Sequence, residues 1–242
     1  MQEDQKTADM MLDILTRIFF PQRCPLCGNL IPIEKNYCSC SCEEPVFISD
    51  DFCHSCGAEK EKCTCKEKDG FQLDNIAGVY IYGGKIRSQL ALFKFSKEKS
   101  FAKEFSLSMS ERVAKVFCDV AFDGVTFVPA SEKSFKERGF NQSELLAKGV
   151  AERLFLPLQD TVVKIKETEL QHSLGAKERV KNLEGAFAIK KGADVKGKTL
   201  LLCDDIKTTG TTLSKCAGVL YENGAKAVYC IVLAVTDYLT DF

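Results

Sequence analysis

Nine of the chain's 13 cysteines fall between Cys24 and Cys65, and no other feature restricts its folding as tightly. Their spacing is Cys24-x2-Cys27-x10-Cys38-x-Cys40-x-Cys42-x10-Cys53-x2-Cys56-x6-Cys63-x-Cys65. Cysteine this dense belongs either to an exported disulfide scaffold or to a metal-stapled module in a reducing compartment. The opening MQEDQKTADMMLDILTRIFF carries acidic residues where a secretory signal carries basic ones, and no small-residue cleavage site follows it. The expectation is a cytoplasmic protein whose reduced thiols ligate metal. CPLCG and CHSCG are knuckle-like turns in which two thiolates converge on one tetrahedral ion while backbone N–H groups point at the sulfurs.

Nine thiols furnish two four-cysteine sites with one left over. The simplest wiring joins Cys24, Cys27 and two of Cys38, Cys40 and Cys42 at one ion, and Cys53, Cys56, Cys63 and Cys65 at a second. A crossed wiring joins both C-x2-C pairs at one ion, and the spacing admits either. One or two zinc ions are expected, and four thiolates leave no open coordination position, so their role is structural. The same ligand sets serve iron–sulfur clusters, and disulfides are a third arrangement. His54, inside the second pair, reads as a bystander.

The rest of the chain has a different pattern. Residues 1–20 suggest a short docking helix with Met10, Met11, Ile14, Leu15 and Ile18 on its apolar side, residues 21–68 form the cysteine module, and residues 72–242 form a larger domain. Apolar runs at 76–82, 124–130, 161–165, 185–189, 198–205 and 226–235 read as strands. Amphipathic segments at about 85–95, 99–118, 140–155 and 210–223 read as helices. Alternation of this kind, with continuous apolar strands such as TLLLC and YCIVLAV, predicts an α/β fold with a largely parallel sheet covered on both faces. With 33 basic and 34 acidic residues the chain has no global pull on polyanions, and no apolar run approaches the ~20 residues of a membrane span.

The sharpest chemical signal is TLLLCDDIKTTGTTL, residues 199–213. An apolar strand ends in two carboxylates, then a Thr/Gly turn opens an amphipathic helix. Backbone N–H groups of such a turn, with threonine hydroxyls around them, make a socket for a phosphate. Carboxylates just upstream accept hydrogen bonds from vicinal ribose hydroxyls. The segment resembles the phosphoribosyl pyrophosphate (PRPP) motif of type I phosphoribosyltransferases. By that resemblance Asp204 and Asp205 hold the ribose 2′- and 3′-hydroxyls, while Thr208, Thr209, Gly210, Thr211 and Thr212 hold the 5′-phosphate. Lys207 departs from the motif, at a position usually hydrophobic, where it either contacts phosphate or points to solvent.

Further segments narrow the resemblance. VPASEKSFKERGFNQSELLA (128–147), VKIKETELQHSLGAKERVKNLEGAFAI (163–187) and LFKF (92–95), with the two knuckles, resemble the ComF/GntX family of competence-related phosphoribosyltransferase-like proteins over about residues 18–235. The Cys38-x-Cys40-x-Cys42 ladder departs from the second C-x2-C expected there. The resemblance implies a type I phosphoribosyltransferase-like fold and Mg²⁺-assisted displacement of pyrophosphate from C1 of PRPP, with an acceptor that is not legible. It implies that residues 129–139 form a pyrophosphate-gripping loop with Arg138, Lys133 and Lys136 as its cations, and it raises Asn141 and Gln142 above ordinary surface residues. Gln171, Arg179 and Asn182 resemble positions that line or brace the cleft. Lys94, on an apolar helix face, needs a partner if buried and snorkels if not.

His172 reads as a surface histidine, and Cys118, Cys203, Cys216 and Cys230 read as buried small hydrophobes. A second function class remains open: a competence protein handling single-stranded DNA, with the PRPP loop as a sensing or vestigial site. Five basic against three acidic residues at 164–181 favour it, and the absence of Phe or Tyr before Phe187 in that segment counts against it. A third class, a zinc-stapled scaffold, predicts no PRPP affinity. Partners in prospect are PRPP, single-stranded DNA and other competence proteins.

Overall fold

The computed structural model describes residues 30–31, 45–63, 65, 75–95, 101–166 and 185–236. The expected docking helix, the cysteines Cys24, Cys27, Cys38, Cys40 and Cys42, and the 167–184 segment with Gln171, His172, Arg179 and Asn182 lie outside the described residues.

Apolar runs with no polar alternation cannot face water on either side, so they settle as interior strands. β5 (Thr199–Lys207) and β6 (Ala227–Thr236) do this: Leu200, Leu201, Leu202, Cys203 and Val228 are fully buried, as is the run Cys230 to Ala234. β1 (Asn75–Tyr82) and β2 (Gly124–Phe127) flank them, and the four strands run parallel in the order β1-β6-β5-β2. Their C-terminal ends therefore share one edge, where open parallel sheets bind ligands. β3 (Val162–Lys164) and β4 (Phe187–Ile189) do not join this sheet. They pair antiparallel as a separate two-stranded unit, with Val163 and Ile165 exposed.

Of the helices α1 (Gly84–Phe95), α2 (Phe101–Val116), α3 (Glu132–Arg138), α4 (Gln142–Leu154) and α5 (Thr211–Glu222), all but α3 pack against the sheet. α2 and α4 pack on each other and on the sheet, whereas α5 packs on β5 and β6 together with the β3–β4 pair. None of the described helices is long and apolar enough to cross a membrane. α3 corrects the expected loop at 129–139. It buries none of its residues and is held by its ends. The Ser131 hydroxyl accepts the Ser134 N–H at 3.1 Å, and Gly139, at φ 81°, stops the helix by donating to the Phe135 carbonyl.

The α2–α4 contact depends on a missing side chain. A Cβ built on Gly149 would lie 2.2 Å from Ser106 Oγ and 2.6 Å from Ser106 Cβ, so the helices approach at a distance only glycine permits. Gly149→Ala is expected to lower stability by about 1–3 kcal/mol through overpacking. Urea unfolding would read this, and Ser106→Gly in the same chain should recover part of it. An unchanged midpoint would contradict the close approach.

The described part of the cysteine segment shares the core of the larger domain. Ile48, Phe52, Cys56 and Ala58 belong to the same buried cluster as β1 and β6. Residues 46–48 run antiparallel along the free edge of β1, with Ile48 N–H on the Val79 carbonyl and Ile81 N–H on the Val46 carbonyl, both at 2.9 Å. Arg112 of α2 fastens the segment from the side. It donates to the Ser49 carbonyl at 2.7 Å and to Asp50 at 3.1 Å, and its guanidinium lies 4.8 Å from the Phe52 ring centre.

Candidate functional site

The C-terminal edge of the parallel sheet opens into a cleft of about 230 Å³. Its walls bring together the end of α1 (Lys94), residues from β2 through the start of α4 (including Arg138 and Gln142), and the β5–α5 turn (Asp204 to Leu213).

The acidic pair is built by the strand itself. Asp204, 8% exposed, accepts the Ser143 hydroxyl at 2.7 Å and the Asp205 N–H at 2.9 Å, both on Oδ1. Asp205 accepts the Ile206 N–H at 2.7 Å and forms an ion pair at 2.5 Å with Lys94. Burial pushes the Asp204 carboxyl up to about 7, the Asp205 charge adds to the rise, and the Ser143 hydroxyl, the Asp205 N–H and Lys94 oppose it. Two carboxylates held this close, one of them buried, store repulsion that a cation or a set of ligand hydroxyls would relieve.

Beyond the pair, Gly210 adopts φ 78° and caps α5 without any side-chain cap bond. The first N–H groups of a helix lack intrahelical partners, so the start of α5 presents donors at the cleft. Thr209 and Thr211 share a hydroxyl–hydroxyl bond of 2.8 Å, which fixes their oxygens beside that opening. On the opposite wall Arg138 donates to Gln142 Oε1 at 3.0 Å. Gln142 is 3% exposed, and its Nε2 has no hydrogen-bond partner within the described residues. Asn141 is a structural strut: it caps α4 through Ser143 N–H at 3.1 Å and ties α4 to β2 through the Val128 carbonyl at 3.0 Å.

The second CxxC turn forms a separate cluster at the β1 edge. Cys53, Cys56, Cys63 and Cys65 place their four Sγ atoms within 4.8 Å of one another, and none of them is in a disulfide. The Cys56–Cys63 Sγ separation is 3.7 Å, against about 3.8 Å for thiolates tetrahedral around zinc at ~2.3 Å. Gly57, at φ 73°, lets its N–H reach the Cys53 carbonyl at 2.7 Å, and Cys65 N–H points at Cys63 Sγ at 3.4 Å. The donor set therefore fits a structural tetrathiolate metal site. His54 stays out of it and bonds Asn75 at 2.9 Å.

Comparison with known proteins agrees with this geometry. The family profile described as phosphoribosyl transferase domain matches residues 141–237, which include β5, the turn and α5. Competence protein ComFC of Bacillus subtilis is 30% identical over 207 residues, covering 82% of each chain. The chain belongs to the ComF family. The DNA utilization protein YhgH of Escherichia coli is 28% identical over 209 residues, covering 85% of this chain and 86% of that one. A solved phosphoribosylpyrophosphate synthetase from Mycobacterium smegmatis aligns at TM-score 0.34 with 20% identity, covering 54% of this chain and 33% of that one. The type I phosphoribosyltransferase fold of this ComF protein is read from the domain profile and the strand topology.

Lys94, Arg138, Asp204, Asp205 and the run Thr208 to Thr212, all read from the sequence as PRPP-site candidates, line the same cleft. Lys94 does not snorkel, because its partner is Asp205. Lys133 and Lys136 are exposed on α3 and do not line the cleft, and Lys136 instead pairs with Glu132. Lys207 does not reach solvent, being 1% exposed, and it is among the residues that line the cleft. Burial pulls its ammonium below the usual lysine range, and the cysteine sulfurs oppose that pull. Cys203, Cys216 and Cys230 are buried as expected, but Cys118 is exposed in the turn after α2. Ser143, which holds Asp204, was not singled out in the sequence. The available signal was a small hydroxyl beside an N-cap asparagine on a face that is otherwise buried.

Proposed function

We propose that this ComF-family protein binds PRPP in the cleft and transfers its phosphoribosyl group to an acceptor. The observation that carries the reading is the convergence of an acidic pair, two cations and a glycine-capped helix start on one sheet edge. In this reading Thr208 to Thr212 and the α5 N–H groups take the 5′-phosphate. Asp204 and Asp205 accept the ribose hydroxyls, and the partnerless Gln142 Nε2 is a further donor to an anionic oxygen. In the same reading Arg138, which lines the cleft, stabilises pyrophosphate as the bond from C1 to its oxygen breaks and the electron pair leaves with it. The acceptor's lone pair forms the new bond to C1. Asp204 and Asp205 are the residues that would help hold a PRPP-bound Mg²⁺, which would supply charge neutralisation on the leaving group. Catalysis by the chain itself is positioning and charge stabilisation.

Zinc is the metal proposed for Cys53, Cys56, Cys63 and Cys65, and the compartment proposed is the cytoplasm. A role in DNA use or competence comes from the names of the relatives, with single-stranded DNA and other competence proteins as the proposed partners. In the second reading, favoured by those names, the protein handles single strands without turnover and the cleft is a ligand-sensing site.

Arg138→Met keeps the aliphatic stem and removes the cation. Loss of a charge-assisted contact predicts PRPP affinity lower by roughly 10- to 100-fold with the fold intact. Displacement of PRPP by inorganic pyrophosphate should weaken in parallel. Equal affinities for both proteins would remove Arg138 from the site.

A further inference from the structure

We propose that Lys94 is a resident counter-ion that holds the cation position on Asp205 in the free protein, so that the acidic pair takes up no divalent cation on its own. The inference rests on the PRPP reading above and deepens it by assigning when the pair is able to share a metal ion.

Three observations carry it. First, the ion pair is direct: Lys94 Nζ lies 2.5 Å from Asp205 Oδ2, with the two side chains 21% and 14% exposed. At that range an ammonium and a metal ion compete for one oxygen, and two cations crowded onto it repel strongly in a partly buried site. Second, the neighbouring carboxylate oxygens are also engaged within the chain. Asp204 Oδ1 accepts the Ser143 hydroxyl and the Asp205 N–H, and Asp205 Oδ1 accepts the Ile206 N–H. Asp205 Oδ2 differs from these in having a cation as its partner. Third, packing delivers Lys94 to this place. Its neighbour Phe93 is fully buried, with its ring centre 5.9 Å from that of Phe105 on α2 and 6.0 Å from that of Phe140. Phe140 lies between the end of α3 and the start of α4, so the last turn of α1 is fastened to the wall that carries Arg138 and Ser143. The backbone of Lys94 is thereby anchored at the cleft, and its side chain reaches across to the β5 end.

Two adjacent carboxylates without a counter-charge are a ready ligand for a hard divalent cation, which prefers oxygen donors. Lys94 supplies that charge from within the chain. An arginine would grip a carboxylate with a planar fork, whereas lysine brings one compact charge on a flexible four-carbon stem, which suits a contact that has to break. A divalent ion then has to arrive with a ligand whose phosphates offer the ammonium another partner, as PRPP carrying its own Mg²⁺ does.

The test is Mn²⁺ binding to the full-length, zinc-loaded protein without PRPP, read from the electron paramagnetic resonance signal of free Mn²⁺. Wild type, Lys94→Met, Lys94→Arg and Lys94→Met/Asp205→Asn are compared, with circular dichroism as the check on folding. Wild type is expected to bind Mn²⁺ no tighter than ~1 mM. Lys94→Met should gain one site per chain that is at least about tenfold tighter, the scale of one charge–charge repulsion removed. Lys94→Arg keeps the cation and should exclude Mn²⁺ as wild type does, and the double variant should lose the gained site. A lysine with only a structural role would cost stability on replacement without creating a metal site. If Lys94→Met does not fold, Lys94→Gln, polar at this partly exposed position, takes its place in the comparison. Equal Mn²⁺ binding by wild type and the uncharged variant, whether tight or absent, would overturn the proposal. Tight binding to Lys94→Arg, or a gained site that survives Asp205→Asn, would overturn it as well. PRPP with Mg²⁺ is titrated calorimetrically into wild type in parallel. Failure to bind there would sink the reading of the cleft, with the Mn²⁺ comparison still deciding the role of Lys94.

Discussion

Asp204→Asn is expected to make the protein more stable above neutral pH while removing its affinity for PRPP. The carboxyl is buried beside Asp205 and is pushed up to about 7 from the ordinary 3.8. A folded state that holds its proton more tightly than the unfolded state is favoured at low pH. The slope of stability against pH is therefore negative between the two values, and the contribution present below pH ~4 is lost as pH rises to about 7. The full shift sets a ceiling of roughly 4 kcal/mol, and coupling to Asp205 and Lys94 brings the expected gain in the variant to about 2 kcal/mol. Asparagine keeps an Oδ1 for the Ser143 hydroxyl and the Asp205 N–H, so those two bonds survive. Scanning calorimetry should show the variant melting about 4–8 °C higher at pH ~8, for a domain of this size. The two curves should converge below pH ~4. A variant less stable than wild type at every pH would contradict the stored repulsion. Strain of this kind is what a ligand site retains at the expense of stability.

Cys56→Ser carries the second large effect, in the opposite direction. It deletes the most buried ligand of the tetrathiolate cluster and should abolish stoichiometric zinc. Phe52, Ile48 and Ala58 lie in the common core, and residues 46–48 cap β1, so losing the metal does not release an isolated appendage. The segment from 45 to 65 should open locally, exposing the β1 edge, and limited proteolysis should cut within it while β5 and β6 stay protected. The main transition should fall by more than about 5 °C, because metal-binding free energy in such sites is folding free energy. Cys118→Ser, at an exposed turn, is the control and should change stability by no more than about 0.5 kcal/mol. If Cys56→Ser retained zinc and its melting point, the four sulfurs would not be a metal site.

What was legible in the sequence followed from residues whose neighbours in the chain are also their partners in the site. The Asp204–Thr212 turn reads from sequence because strand, acidic pair, glycine and helix start are consecutive. β5 and β6 read because burial on both faces removes polar residues from consecutive positions. The grouping of Cys53, Cys56, Cys63 and Cys65, one of two wirings the spacing admits, agrees with the clustering of their sulfurs, and it was legible because the turn that aims two thiolates is local. Contacts between distant segments were not legible: the Lys94–Asp205 pair joins α1 to β5, and no local pattern announces it. α3 was missed because it has no apolar stripe and forms through its Ser131 and Gly139 ends. Of the two alternatives left open for Lys207 the solvent one fails, because the end of β5 is buried by segments distant in the chain. β3 and β4 read as strands but not as a separate pair, since strand pairing is set by register and not by composition.

The most direct test of the account is a calorimetric titration of PRPP with Mg²⁺ into zinc-loaded wild type and an Asp204→Asn/Asp205→Asn variant. The account predicts binding at one site per chain in the wild type and none in the variant, with both proteins folded. Undetectable binding to folded, zinc-loaded wild type, or equal binding to both proteins, would contradict it.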